Sequence, residues 1–207
     1  MQNPHQETWS FDSFDRIGGY PVEVTGNPAL TRDGGHSAIA FDGIGDRLLV
    51  RGNPLHGVQA FTVEVVFKPG AGVNAKNDPR FLHLMDPADP DAKRLMVEIR
   101  VNDKGRWTLD AMLKTDAGER AVLDLSIEHP ADEWVHAAVT YDGGMLRTFV
   151  GGKPELAGPV THRESILGPG TVASVGARMN KVHWLFGSIR TLRFTHAALS
   201  PSAFLRI

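Results

Sequence analysis

The chain has 207 residues, of which 42% are hydrophobic and 22% charged, and its formal net charge is −2. This composition excludes a disordered chain, and no apolar run approaches the roughly 18 residues that a membrane-spanning helix needs. The small net charge provides no general attraction to nucleic acid or to an anionic membrane. Because the chain contains no cysteine, a disulfide framework, a zinc–thiolate site and a thiol nucleophile are also excluded.

Short segments with a two-residue alternation follow one another along the chain and predict β-strands separated by Gly- and Pro-rich turns. The predicted strands are Glu7–Asp12, Tyr20–Thr25, Ser37–Phe41, Arg47–Val50, Phe61–Lys68, Phe81–Met85, Arg94–Val101, Trp107–Leu113, Arg120–Ser126, Trp134–Tyr141, Met145–Val150, Thr171–Gly176 and Phe186–Phe194. A helical turn is predicted at Ser200–Leu205, and the most irregular loops are Pro69–Pro79 and Asp86–Lys93. No repeat or linker interrupts this series, which predicts one domain over residues 1–207.

Residues Trp134–Lys153 carry the pattern of a β-hairpin. The apolar side chains of the first strand fall on alternate positions, at Val135, Ala137, Val139 and Tyr141. Asp142-Gly143-Gly144 then tolerates the positive φ angles of a tight turn, and Met145–Val150 returns as the second strand. Other strands, such as Phe61–Lys68 and Arg94–Val101, likewise have one apolar face and one more polar face. We therefore predict an all-β fold in which two antiparallel sheets pack as a sandwich.

Six segments, in this order and spacing, resemble the laminin-G-like, concanavalin A-like jelly-roll domains of bacterial proteins. They are Trp9–Asp12, Ala38–Val50, Ala60–Pro69, Glu133–Lys153, Ser174–Arg178 and Phe186–Phe204. The resemblance implies a jelly-roll sandwich with a carbohydrate partner. It does not specify the function, because this fold hosts lectins, carbohydrate-binding modules, glycoside hydrolases, polysaccharide lyases and adhesion domains.

The resemblance bears on the compartment and on calcium. Family members are often secreted or periplasmic, but MQNPHQETWSFDS lacks the apolar core of a secretory signal, so the compartment stays open. Many members carry an acidic residue near a calcium site where this chain has Arg190. Asp42 and Asp46 offer oxygen ligands, but calcium takes about six to eight. We therefore expect no cofactor and no metal-ligating residues, with calcium as the alternative.

The polar faces of the predicted strands provide a first set of candidate site residues. If these strands are neighbours in one sheet, one surface is shared by His83, Glu98, Arg100, Asp110, Lys114 and His136, with Glu64 beside them. An enzyme would use Glu98, kept ionised by Arg100, with Asp110 nearby and His83 moving a proton. The alternative is ordinary exposed ion pairs, with His136 as a framework residue. The motifs of glucanases and of jelly-roll alginate lyases are absent from the sequence.

A second candidate set lies in the loop before the last strand. Arg178, Asn180 and His183 offer hydrogen-bonding groups for sugar hydroxyls, and Trp184 offers an aromatic face for a sugar ring. Lys114 and Glu64 complete this predicted ligand-binding set. The alternative is that Trp184 opens a strand and is buried there.

The leading hypothesis from the sequence is a glycan-binding, lectin-like domain that recognises a saccharide on a concave sheet face or at a loop edge. The first alternative is a polysaccharide lyase or glycoside hydrolase, and the second is a protein-interaction or adhesion domain. We expect a carbohydrate partner, no nucleic acid and no membrane insertion. The sequence does not specify the saccharide or the oligomeric state.

Overall fold

The computed structural model describes residues 4–72 and 78–207, and within them two antiparallel sheets contain nearly all the regular structure. In spatial order, sheet I consists of β15 (Lys153–Pro159), β14 (Met145–Val150), β13 (Val135–Tyr141), β7 (Phe61–Pro69), β17 (Phe186–Thr195), β5 (His36–Asp42) and β4 (Ala29–Asp33), with β1 (Gln6–Ser10) also paired to β17. Sheet II consists of β11 (Glu119–Val122), β10 (Arg106–Lys114), β9 (Arg94–Val101), β8 (Arg80–Met85), β16 (Val172–Val175), β6 (Arg47–Val50), β3 (Tyr20–Thr25) and β2 (Arg16–Ile17), with β12 (His129–Pro130) also paired to β10. The predicted two-sheet, all-β sandwich is confirmed.

The hydrophobic core lies between the two sheets and is built from alternate residues of each strand. From sheet I it receives Phe61, Val63, Val65 and Phe67 of β7, and from sheet II Leu95, Val97 and Ile99 of β9 and Trp107, Leu109 and Leu113 of β10. Each fully buried Val, Leu, Ile or Phe side chain contributes about 1.5–3 kcal/mol. Because the two-residue period directs these side chains inward, it directs the intervening polar residues to the outer faces.

The predicted hairpin is confirmed, with its first strand beginning at Val135. Asp142 fixes the turn, because its Oδ1 accepts hydrogen bonds from the backbone N–H groups of Gly144 (3.0 Å) and Met145 (2.9 Å). Gly143 has a φ of 97°, a left-handed conformation that favours glycine. The hairpin joins β7 through β13 and thereby sets the antiparallel order of sheet I.

The sequence pattern missed four strands, each of them short or at a sheet edge. β2 and β12 contain only 2 residues each, too few to show an alternation. Every residue of β4 is exposed, so it has no apolar face. β15 is an edge strand with a proline near each end, which a sheet tolerates only at an edge or a strand end. The predicted strand Arg120–Ser126 ends earlier, at Val122.

The carboxyl-terminal segment crosses the outer face of sheet I. The predicted helical turn is a 3-10 helix at Pro201–Ala203, and Phe204 after it packs against Phe149 with ring centroids 5.2 Å apart. Of the two predicted irregular loops, Pro69–Pro79 includes residues 73–77, which lie outside the described residues. The loop at Asp86–Lys93 is confirmed as irregular chain between β8 and β9.

Glu64, on the outer face of β7, holds this segment in place. Its side chain is 0% exposed, and its Oε1 accepts hydrogen bonds from His136 Nε2 (3.0 Å) and from the backbone N–H of Leu205 (2.6 Å). Arg193 Nε donates to Oε2 at 2.6 Å. Burial alone would raise the pKa of Glu64, but these three donors hold it below its ordinary value. Glu64 is therefore an ionised, fully bonded group at the centre of a structural contact.

We expect Glu64→Gln to lower the free energy of unfolding by about 3–5 kcal/mol, because it removes the counter-ion of Arg193, whose side chain is only 13% exposed. Chemical denaturation followed by tryptophan fluorescence measures this change. The matched control is Glu164→Gln, which removes an exposed pair with Lys93 and is expected to cost less than about 1 kcal/mol. Equal losses in the two variants would contradict the role assigned to Glu64.

Candidate functional site

A cleft of about 300 Å³ lies on the outer face of sheet II, where two loops fold over β8 and β9. It is lined by His83 and Met85 of β8, Arg94 of β9, Pro87 and Pro90 of one loop, and Arg178, Met179 and Asn180 of the other. The lining thus joins part of the predicted sheet-face set to part of the predicted loop-edge set. The two sets come together because the loop before β17 folds back over the sheet.

The loop that carries Arg178 is held tightly in position. Its turn is closed by backbone hydrogen bonds from Lys181 N–H to the Arg178 carbonyl and from Arg178 N–H to the Val182 carbonyl, both 2.9 Å. Lys181 and His183 adopt positive φ angles of 59° and 58°, although neither is a glycine. Below the turn, Arg47 Nη1 donates to the Met179 carbonyl at 3.1 Å, which fastens the loop to β6.

His83 forms the floor of the cleft and is 1% exposed. Its Nδ1 accepts a hydrogen bond from the backbone N–H of Met179 at 3.1 Å, so the neutral ring carries its proton on Nε2. Burial, followed by the charges of Arg178, Arg80 and Arg94, lowers the pKa of His83 to about 3. At neutral pH the imidazole is therefore an uncharged hydrogen-bond donor and not a proton-transfer group.

Beside the cleft, the outer faces of β8, β9 and β10 carry an ion-pair network. Arg100 Nη2 lies 2.6 Å from Asp110 Oδ2 and 3.1 Å from Glu98 Oε1, and its Nη1 lies 2.5 Å from Asp78 Oδ1. Arg80 Nε lies 2.6 Å from Glu98 Oε2, but its N–H is not directed at that oxygen, so this contact is an ion pair without a hydrogen bond. Glu98 and Asp110 are each 2% exposed.

Burial and the neighbouring arginines act in opposite directions on the pKa of Glu98. Burial raises the pKa of Glu98 to about 8, because the Arg80 guanidinium offsets this effect only in part and the neighbouring Asp110 carboxylate raises the pKa further. The expectation that Arg100 keeps Glu98 ionised is therefore wrong. Neither carboxylate lines the cleft, because Glu98 and Asp110 face the guanidinium groups of Arg80 and Arg100 instead. The network therefore connects three strands of sheet II, and its arginines cover the carboxylates of Glu98 and Asp110.

The expectation of one shared polar surface is wrong for Glu64 and His136. Both belong to sheet I, whereas His83, Glu98, Arg100, Asp110 and Lys114 all belong to sheet II. The sequence pattern shows which side chains of a strand share a face, but it does not show which strands are neighbours. Glu64 and His136 bond to each other under the carboxyl-terminal segment, as the framework interpretation of His136 expects.

The other predicted ligand residues of this region, Lys114, His183 and Trp184, are not among the described residues that line the cleft. Lys114 Nζ is 3.6 Å from Asp91 Oδ1 at the end of β10. His183 lies on the side of the ion-pair network, with its Nδ1 3.9 Å from Asp78 Oδ2. Trp184 is half-buried just before β17, and it is not among the described residues that line the cleft.

Arg94 and the two prolines line the cleft but were not among the site residues predicted from the sequence. Arg94 begins β9 and follows directly on the loop that carries Pro87 and Pro90. A proline-rich loop that runs into an arginine at the start of a strand was visible in the sequence. Only the pairing of β8 with both β9 and β16 shows that this arginine meets Arg178.

The two candidate calcium ligands are engaged by backbone amides. Asp42 Oδ1 accepts from Ile44 and Gly45 N–H (2.8 and 2.9 Å), and Asp46 Oδ1 accepts from Asn27 N–H at 2.7 Å. Across residues 4–72 and 78–207, no three His, Asp or Glu side chains are grouped to hold a metal ion. Both aspartates therefore act as turn-forming residues at the end of β5.

The stability of the protein should depend on pH, because the pKa of His83 differs between the folded and the unfolded chain. Its pKa of about 3 lies below the value of about 6.5 expected in the unfolded chain, so the unfolded state binds the proton first on acidification. The stability due to neutral His83 is complete above about pH 6.5 and is lost toward pH 3, by up to about 1.4 kcal/mol per pH unit. His83→Gln, which cannot be protonated, should reduce this acid-induced loss, measured by urea denaturation between about pH 4 and 7.

The matched control is His36→Gln, at an exposed position of β5 on the opposite sheet. Its stability should follow the wild-type pH profile. A His83→Gln profile as steep as that of the wild type would show that the imidazole is accessible to protons in the folded state.

The chain matches the model of a known protein family. The family model of the Concanavalin A-like lectin/glucanases superfamily matches residues 31–203. No curated protein matches the chain. In the part of the chain that the structure describes, no helix has the length and apolar character of a membrane span.

Solved structures share the fold at low sequence identity. Domain 4 of AbnA, a GH43 extracellular arabinanase from Geobacillus stearothermophilus, in complex with arabinotriose, is 17% identical with a TM-score of 0.67, and the match covers 97% of each chain. The binding domain of botulinum neurotoxin DC in complex with SialylT is 14% identical with a TM-score of 0.66. That match covers 95% of this chain but 49% of the toxin domain, so the chain spans about half its length. The two-sheet architecture and the match over most of its length show that this chain belongs to the Concanavalin A-like lectin/glucanases superfamily.

Proposed function

We propose that this chain is a carbohydrate-binding domain and that the saccharide binds in the cleft over β8 and β9. The observation that carries this proposal is the composition of the cleft, where polar donors and apolar surfaces line the same small volume. Two proteins of the same fold, the arabinanase domain with arabinotriose and the toxin binding domain with SialylT, are described in complex with sugars. Both support a sugar partner for the fold in general.

The lining of the cleft suits the chemistry of a sugar. Arg94, Arg178 and Asn180 carry hydrogen-bond donors on flexible side chains, which match hydroxyl and ring oxygens. Met85 and Pro90 present apolar atoms, against which the C–H groups of a pyranose or furanose ring can pack. The volume of about 300 Å³ is at the lower end of small-ligand sites, so we expect a short segment or a terminal residue of a glycan.

Binding is favoured over cleavage by the position of the carboxylates. Glycoside hydrolysis requires two carboxyl groups on either side of the scissile bond, about 5–9.5 Å apart. Among the described lining residues of the cleft there is no Asp or Glu. Glu98 and Asp110, the acidic residues of the enzyme hypothesis, are buried against arginines. We infer that they stabilise sheet II beside the site and do not act on a substrate.

Some of the predicted ligand residues keep their role in this proposed site, and others do not. Arg178 and Asn180 keep their role as ligand contacts, and Arg94 and His83 join them. Glu64 is assigned to the fold, because its carboxylate is fully bonded under the carboxyl-terminal segment. Lys114, His183 and Trp184 lie at the periphery, where a longer glycan would extend beyond the cleft.

Saccharide binding is tested by screening the protein on a glycan array and titrating the bound glycans by calorimetry. We expect Asn180→Ala to weaken binding about fivefold to tenfold, the effect of losing one neutral hydrogen bond. Asn180 is exposed, so its removal should leave the fold intact.

The control is Asn27→Ala, at an exposed asparagine far from the cleft in sequence. Its backbone N–H, and not its side chain, bonds to Asp46, so the substitution keeps that contact. Wild-type affinity in the Asn180→Ala variant would argue against the cleft as the site. The absence of glycan binding by the wild-type protein at millimolar concentration would argue against the function itself.

A further inference from the structure

The cleft contains positive charge that no described residue neutralises in an ion pair. Arg94 and Arg178 both line it, and among the described residues neither guanidinium forms an ion pair. Among the described residues, the only side-chain hydrogen bond of Arg94 is one of 3.5 Å from Nη1 to the Pro90 carbonyl, and its buried Nε has no partner there. Arg47 beneath the cleft is 6% exposed, and its side chain donates to the Met179 carbonyl.

The carboxylates of the loop over the cleft and of the adjacent network contact other groups of the chain. In the loop over the cleft, Asp86 accepts from the backbone N–H of Ala88 and Asp89 from that of Asp91, both at 2.9 Å. Asp91 itself lies 3.6 Å from Lys114 Nζ. In the adjacent network, Glu98 and Asp110 contact Arg80 and Arg100. The loop and the network therefore supply no counter-ion to Arg94 or Arg178.

The floor of the cleft adds a second, independent observation. His83 is 1% exposed, its Nδ1 is occupied by the Met179 N–H, and its Nε2 has no hydrogen-bond partner among the described residues. Since the neutral ring carries its proton on Nε2, this group is a buried donor without an acceptor. Such groups are uncommon in folded proteins and call for an explanation, which a bound acceptor would provide.

We propose, building on the function proposed above, that the cleft selects a negatively charged saccharide, whose carboxylate or sulfate group binds between Arg94 and Arg178. A guanidinium presents a planar fork of N–H donors that matches these anionic groups in two-point contacts. Two such groups in a cleft without a carboxylate favour an anion over a neutral sugar. The sugar ring then packs against Met85 and the two prolines, with Asn180 at the rim.

The test compares neutral and acidic glycans on one array that carries neutral, uronate-containing, sialylated and sulfated oligosaccharides. For the acidic glycans that bind, calorimetry is repeated with a chemically neutral counterpart, such as a methyl-esterified oligogalacturonide beside the free acid. We expect the neutral counterpart to bind at least tenfold more weakly, and the affinity for the acid to fall as salt is raised. The carboxylated and sulfated parts of the array identify which anion is bound.

The variants are Arg94→Gln and Arg178→Gln, which keep hydrogen-bond donors but remove the charge. Each should weaken acidic glycan binding about tenfold to a hundredfold, the range for a charge-assisted hydrogen bond. The control is Arg147→Gln on sheet I, whose side chain is 38% exposed and pairs with Asp142. Arg178 is half-buried and forms no side-chain bond within the described residues, so its replacement should not disturb folding, which circular dichroism checks.

Equal affinity for the acidic glycan and its neutral counterpart would overturn the charge selection and leave carbohydrate binding in place. Wild-type affinity for acidic glycans in both glutamine variants would also overturn it. The absence of binding to every glycan on the array would overturn the proposed function as well, so the two failures are distinguishable.

Discussion

The two-residue period of the β-strand is the constraint on which this structure depends. It directs one half of the side chains of each strand into a common core, so the other half must lie on an outer face. Where another segment of the chain covers an outer face, the charged groups of that face lose their contact with water and need partners. An unpaired buried charge is costly. The partners of such covered groups come either from the chain itself or from a bound molecule.

The two outer faces meet this constraint differently. On sheet I the carboxyl-terminal segment covers Glu64, and three donors surround its carboxylate. On sheet II two loops cover the outer face over β8 and β9, and the network around Glu98 and Arg100 lies beside them. Next to that network the arginines lie over a buried imidazole without acidic partners. The first face is thus a structural contact, and the second has the incomplete bonding that is expected of a ligand site.

The fold was predictable because its strong signals are local. Alternation in β7, β9 and β10 and the turn after Tyr141 require only neighbouring residues, and all are confirmed. Edge strands such as β4 and β15 escaped prediction, because every residue of β4 is exposed and β15 carries a proline near each end. The site was less predictable, since its components come from distant parts of the chain. Residue 94 meets residue 178 only through the order of strands in sheet II, which no local pattern encodes.

Several unfavourable features of this structure lie together beside the cleft. Lys181 and His183 have left-handed backbone angles, each costing on the order of 1–3 kcal/mol, in the loop that also carries Arg178. The unpartnered N–H of His83 adds about 1–3 kcal/mol beneath the same loop. A protein tolerates such costs where the rest of the fold determines the conformation, and here the core and the backbone bonds of the turn do so. Because the loop is already held in this shape, a saccharide bound as proposed would not have to order it, and the free donors of the cleft would contribute directly to that binding.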